Sequence, residues 1–152
     1  MLEHITDPFL FLDCVHGKLA DDGRVFIEVP NLYDPLLKLW KVPAYERFYF
    51  HEAHLSYFTE KSLKKMLKKC GFEVENFYYL QDYNLLNNLY WWFNNSPQDS
   101  CEFGLSKPKI DFRDEEIGNE INTVLEYADE KYKSILEKHG MTSNIFVVAR
   151  KY

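Results

Sequence analysis

Between Tyr49 and Tyr57 the chain reads Tyr-Phe-His-Glu-Ala-His-Leu-Ser-Tyr, which gathers two imidazoles, a carboxylate and two phenols in one short stretch. Imidazole titrates close to neutrality, so His54 can take a proton from a hydroxyl or an activated carbon. The competing reading of His54 is a loop histidine that hydrogen-bonds the backbone. Tyr49, Tyr57 and Tyr83 can line an acceptor pocket or donate to a substrate, although buried tyrosines more often serve as core residues with a satisfied hydroxyl. Glu52 joins Tyr49 and Tyr57 as a candidate substrate contact. His51, Glu52 and His54 do not have the H-E-x-x-H spacing that puts two ligands on one helix face, and no fourth ligand is evident. No metal site is therefore expected.

The rest of the composition bounds what such a cluster can serve. A chain of 152 residues that is 46% hydrophobic and 28% charged reads as one globular domain. Aromatic residues make up 17%, enough to fill a core and leave some for a pocket or an interface. A net charge of -6 argues against a nucleic-acid backbone or an anionic membrane as partner, since both require a basic surface. There is no apolar run of membrane-spanning length and no basic-then-apolar leader pattern. Cys14 and Cys70 fall in helical patterns and read as small core residues, and no pair of the three cysteines has zinc or redox spacing. A reducing cytoplasm is the expected setting.

The elements that must position the cluster follow from periodicity and punctuation. Asp7-Pro8 opens a helix running to about Ala20, where Phe9, Leu12, Val15 and Leu19 form one side and Leu10 and Phe11 broaden the stripe. That breadth predicts burial on more than one face. Arg24 to Val29 is a β-branched run stopped by Pro30 and reads as a strand with both faces largely buried. Residues 31–58 are irregular and very aromatic. Thr59 then caps an amphipathic helix with Leu63, Met66, Leu67 and Cys70 inside, Gly71 as its stop and a row of lysines on its wet face.

Phe72 to Leu80 reads as a second strand. A short helix over Asn84 to Asn95 is followed by a loop from Ser96 to Asp111. A long helix from about Arg113 to His139 follows, acidic at its start and basic at its end, with Ile117, Ile121, Val124, Leu125, Ala128, Tyr132 and Ile135 on one face. Asn144 to Arg150 is the third strand.

Four segments in this order resemble the second half of a class I SAM-dependent methyltransferase. They are Leu2-Glu3-His4-Ile5-Thr6-Asp7-Pro8, the run from Leu19 to Pro30, His54-Leu55-Ser56-Tyr57-Phe58-Thr59 with the residues through Leu63, and Cys70-Gly71-Phe72. The His-x-Ser-Tyr-Phe-Thr text is similar to that of sugar C-methyltransferases and related small-metabolite enzymes. Relatives carry a glutamate beside the histidine where this chain has Ala53. The resemblance implies an α/β fold, a partial Rossmann-like sheet of strands 5-7-6 in the family's order, the last one antiparallel, with a helical insertion. It divides the chain into a core over 1–83, an insertion over 84–140 and a final strand over 141–152.

The same resemblance implies S-adenosyl-L-methionine as cofactor, with Glu3 and His4 at its methionine end, His54 as catalytic base and a small-molecule acceptor, possibly a sugar. Such a cofactor site needs a glycine-rich turn that lets backbone approach the ligand closely. No G-x-G occurs here, and Gly17, Gly23, Gly71, Gly104, Gly118 and Gly140 are scattered. The cofactor is thus expected to bind mainly to a half not present in this chain, which is expected to be inactive alone and not to bind SAM. The strand at 24–29 would have an open edge where a fourth strand belongs, and such edges are association sites. A homodimer or another association through that edge is expected. The alternative is a non-catalytic interaction or dimerisation module derived from a methyltransferase fold.

Overall fold

In the computed structural model, which describes residues 1–152, three strands form one antiparallel sheet with helices packed mainly on one face. A 3-10 turn at Leu2–His4 leads to α1 (Pro8–Lys18), whose N-cap Asp7 accepts the Leu10 N–H at 2.9 Å. β1 (Arg24–Pro30) follows, then two short helices, α2 (Pro35–Lys38) and α3 (Pro43–Tyr49), inside the stretch that shows no periodicity in the sequence. α4 (Glu60–Lys69) starts with a capping box between Thr59 and Ser62 and is followed by Gly71 at φ +78°, a conformation that suits glycine. β2 (Phe72–Leu80), α5 (Leu85–Asn94), α6 (Glu102–Leu105), α7 (Glu115–Lys138) and β3 (Asn144–Lys151) complete the chain. α6 lies in the segment that reads as a loop.

β3 runs down the centre of the sheet, antiparallel to both β1 and β2, giving the order β1-β3-β2. This is the 5-7-6 arrangement that the resemblance implies. A register shift between Val74 and Asn76 changes the parity of β2, so that Phe72 and Val74 before it and Phe77 and Tyr79 after it all pack on the same core. That core is one-sided. Leu12 of α1, Leu63, Met66 and Leu67 of α4, Val29, and Ile145, Val147 and Ala149 of β3 are buried together.

The opposite face of the sheet is open, which corrects the expectation that β1 is buried on both faces: Phe26 is 67% exposed. The period-2 alternation of β1 and β3, not the hydrophobicity of the run, predicts which side is wet. Phe26, Phe146 and Tyr78 form a row across that face, with ring centroids 6.4 and 6.1 Å apart. α1 is likewise buried on one face, because it packs on a single layer: Leu12 is enclosed, while Phe9 and Leu10 are exposed. Cys14 is exposed, since it lies on the outer side of this helix, whereas Cys70 is buried against α1. No helix is long and apolar enough to cross a membrane.

A second cluster of Leu36, Val42, Tyr45, Tyr49 and Trp91 joins α2, α3 and α5. α7 docks on this layer through polar groups. Asp129 accepts the Leu85 N–H at 2.6 Å, and the Tyr132 hydroxyl accepts from Trp40 Nε1 at 2.8 Å and Asn88 Nδ2 at 2.6 Å. Much of the apolar stripe on α7 faces away from the body of the protein.

Candidate active site

The loop from His51 to Tyr57 is clamped at both ends, which fixes His54 in space. On one side the carbonyl of Glu3 accepts the N–H groups of Leu55 and Ser56 at 2.8 and 3.1 Å. His4 Nδ1 lies 2.6 Å from the carbonyl of Ala53. A carbonyl can only accept, so Nδ1 carries a proton. On the other side Leu32 N–H donates to the carbonyl of Phe58 at 2.8 Å, and Asn31 bridges to Phe58 in parallel register. The Tyr57 hydroxyl donates back to the carbonyl of Tyr49 at 3.3 Å.

Held this way, His54 has its ring centroid 4.0 Å from that of His51 and 4.8 Å from that of His4. Its Nδ1 is buried and has no hydrogen-bond partner. Burial holds its pKa below the usual histidine value, and the neighbouring His51 and His4 imidazoles push it the same way. A neutral imidazole with an unused nitrogen is the form a proton acceptor needs.

His54 lies on the wall of a cavity of about 200 Å³. Two sequence-distant regions build the rest of it: the layer of α2 and α3, with Asp34, Tyr45 and Tyr49, and the strand ends where β2 leaves and β3 enters the sheet. The latter supply Asp82, Tyr83, Ser143 and Asn144. Asp82 accepts from Asn144 Nδ2 at 2.6 Å, and its own N–H donates to Ser143 Oγ at 3.1 Å. Beneath the cavity, the Asp34 carboxylate accepts the Leu36 N–H at 2.7 Å and the Tyr45 hydroxyl at 3.1 Å. Burial pushes Asp34 up to about 7 even with those bonds in place. A larger hollow of about 410 Å³ lies between α4 and the start of β2, lined by Lys64, Lys68, Phe72, Glu73, Val74 and Tyr152. No histidine reaches it.

The candidate residues from the sequence divide accordingly. His54, Tyr49 and Tyr83 line the cavity, and His51 joins them. The Tyr49 hydroxyl is already committed, donating to the carbonyl of Asn31 at 2.7 Å, so Tyr49 shapes the wall rather than offering a donor. Tyr57 stacks edge-on near His54 at 5.9 Å but does not line the cavity, and Glu52 is exposed and does not line it either. Glu3 and His4 lie behind His54. Donor atoms of Glu3, His4 and His54 come within 4.8 Å of one another, and these are the residues whose donors could share a cation. The sequence reading passes over Asp34, Asp82, Ser143 and Asn144. A usable signal was present for the last three: short polar residues at a strand exit and a strand entry, where an α/β sheet collects ligands.

Residues 1–76, half of the chain, match the family described as methyltransferase domain. The chain belongs to that family. The matched part of the methyltransferase domain includes the 3-10 turn, β1, the His51–Tyr57 loop and α4. A SAM dependent methyltransferase from Archaeoglobus fulgidus superposes on 99% of this chain with a TM-score of 0.50 and 21% identity, a likeness of fold. This chain covers 56% of that protein, so it spans little more than half its length. No curated protein matches.

Proposed function

We propose that this chain is the carboxyl-terminal, acceptor-binding part of a SAM-dependent methyltransferase acting on a small polyhydroxylated molecule such as a sugar. The observation that carries the reading is His54 in the wall of a cavity whose other polar residues include Asp34, His51, Asp82, Ser143 and Asn144. A carboxylate, a hydroxyl and a carboxamide at one rim are the groups that hold and orient acceptor hydroxyls. The cavity's size suits a small metabolite better than a polymer. Family membership supports the reaction class.

This chain does not by itself fit S-adenosyl-L-methionine. It has no glycine turn for close backbone approach. The His4 Nδ1 hydrogen is spent on Ala53. The roles left to this chain are on the acceptor side. Asp82 and Asn144 orient the acceptor, the tyrosine-rich layer excludes water, and His54 takes the acceptor's proton as its oxygen or carbon gains the methyl group. His4 and Glu3 position His54 through the loop.

Two measurements test this on the 152-residue chain. Calorimetric titration with S-adenosyl-L-methionine and with its demethylated product should give no saturable heat, and clear binding would sink the half-domain reading. Ring-carbon NMR signals of His51 and His54 should move when hexoses or inositols are added, and His54→Gln should remove the His54 response. If no polyol moves either ring, the acceptor assignment fails and a non-catalytic module becomes the better description.

A further inference from the structure

α7 carries an apolar stripe with nothing packed on it. Ile117, Val124 and Ile135 are 57, 66 and 59% exposed, with Ile121 partly exposed on the same line. A helix of 24 residues is about 36 Å long, enough for a continuous interhelical seam. At about 100° per residue these four positions and the half-buried Ala128 fall within one narrow sector, about a quarter turn from the sector of Gly118, Asp129 and Leu136 that faces the protein.

The stripe is self-complementary about the middle of the helix. Ile117 and Ile135 are equidistant from Glu126, and so are Val124 and Ala128. The flanking charges follow the same symmetry. Glu116 and Glu120 lie along one side of the stripe in the first half, and Lys131 and Lys138 lie along the same side in the second half. A two-fold axis perpendicular to the helix keeps a flank on its own side while reversing direction. It therefore sets Glu120 of one copy beside Lys131 of the other, and Glu116 beside Lys138, each pair twice.

We propose that the partner of this face is a second copy of the chain, docked through an antiparallel α7–α7 seam centred at Glu126. In it Ile117 packs on Ile135 of the partner subunit and Val124 on Ala128 of the partner subunit. The seam lies on α7 and does not use the acceptor cavity, so it stands whether or not the proposed methyl transfer does.

The test is the mass of the purified chain in solution, by light scattering after size exclusion and by sedimentation equilibrium. The expected result is a dimer. Val124→Glu, at a site where the isolated chain leaves the side chain in water, should raise the dissociation constant at least tenfold without changing the circular dichroism spectrum. Glu120→Lys should weaken the dimer, and Glu120→Lys with Lys131→Glu should restore it, since the pair is only exchanged between copies. A monomer at all accessible concentrations would overturn the proposal. So would a dimer indifferent to Val124→Glu but dissociated by Phe26→Pro, because that result would place the contact on the open edge of β1.

Discussion

Asp34 shows what a single buried group can impose on the molecule. Its side chain is 2% exposed, caps α2 and accepts the Tyr45 hydroxyl, and burial raises its pKa to about 7 from an ordinary carboxylate value. A raised carboxyl pKa means that the folded chain holds a proton that the unfolded chain has released. Stability from this group is therefore complete below about pH 4 and falls as pH rises towards 7. The loss is on the order of 4 kcal/mol across that window, before relaxation of the site reduces it. Asp34→Asn keeps the cap oxygen and removes the titration. Urea unfolding should show that the native chain loses stability between pH 4.5 and pH 7.5 relative to this variant, and parallel curves would contradict it. The contrast with His54 shows what a sequence makes legible. His54 stands in a run of residue types that announces chemistry, whereas Asp34 sits in the stretch 31–58, which reads as irregular. Nothing local says that Tyr45 and Tyr49 will fold over it.

The elements that are legible in advance are those whose boundaries rest on their own side chains. Thr59 and Gly71 bracket α4, and Asp114 caps α7 by accepting the Ile117 N–H at 3.0 Å, so local chemistry fixes both helices. α2, α3 and α6 are different: short helices of this kind are unstable alone and are held by distant partners. α6 exists because Asn84, fully buried at the start of α5, holds it. The Asn84 amide nitrogen donates to the carbonyls of Phe103 and Ser106 at 2.6 and 3.0 Å, while its oxygen accepts the Asn87 N–H at 2.8 Å. Asparagine has the right mix of donor and acceptor here. Asn84→Ala should cost on the order of 2–4 kcal/mol, from a lost cap and two unsatisfied carbonyls. Asn84→Asp keeps the cap but points a second acceptor at those carbonyls, so it should be at least as damaging. Chemical denaturation checks both, and an Asp variant as stable as the native chain would show that the two carbonyl bonds contribute little.

At the scale of the whole molecule, the sheet folds with one covered face. Hydrophobic periodicity locates all three strands, but their spatial order follows from the family resemblance, because pairing between residues more than a hundred positions apart leaves no local trace. The same limit explains the misjudged burial of β1 and α1: a run of apolar residues does not say whether one layer or two will cover it. If the chain's stability rests on the single core between α1, α4 and the sheet, substitutions on the two faces must differ sharply. Leu63 is fully enclosed in that core, so Leu63→Ala should cost on the order of 3 kcal/mol through lost burial and a residual cavity. Phe26→Ser removes a larger side chain from the open face, where most of its surface is already in water, and should cost less than about 1 kcal/mol. Thermal and urea unfolding of the two variants decides the matter. Equal losses would mean that something covers the Phe26–Phe146–Tyr78 row in solution, and that the sheet has a second packed layer.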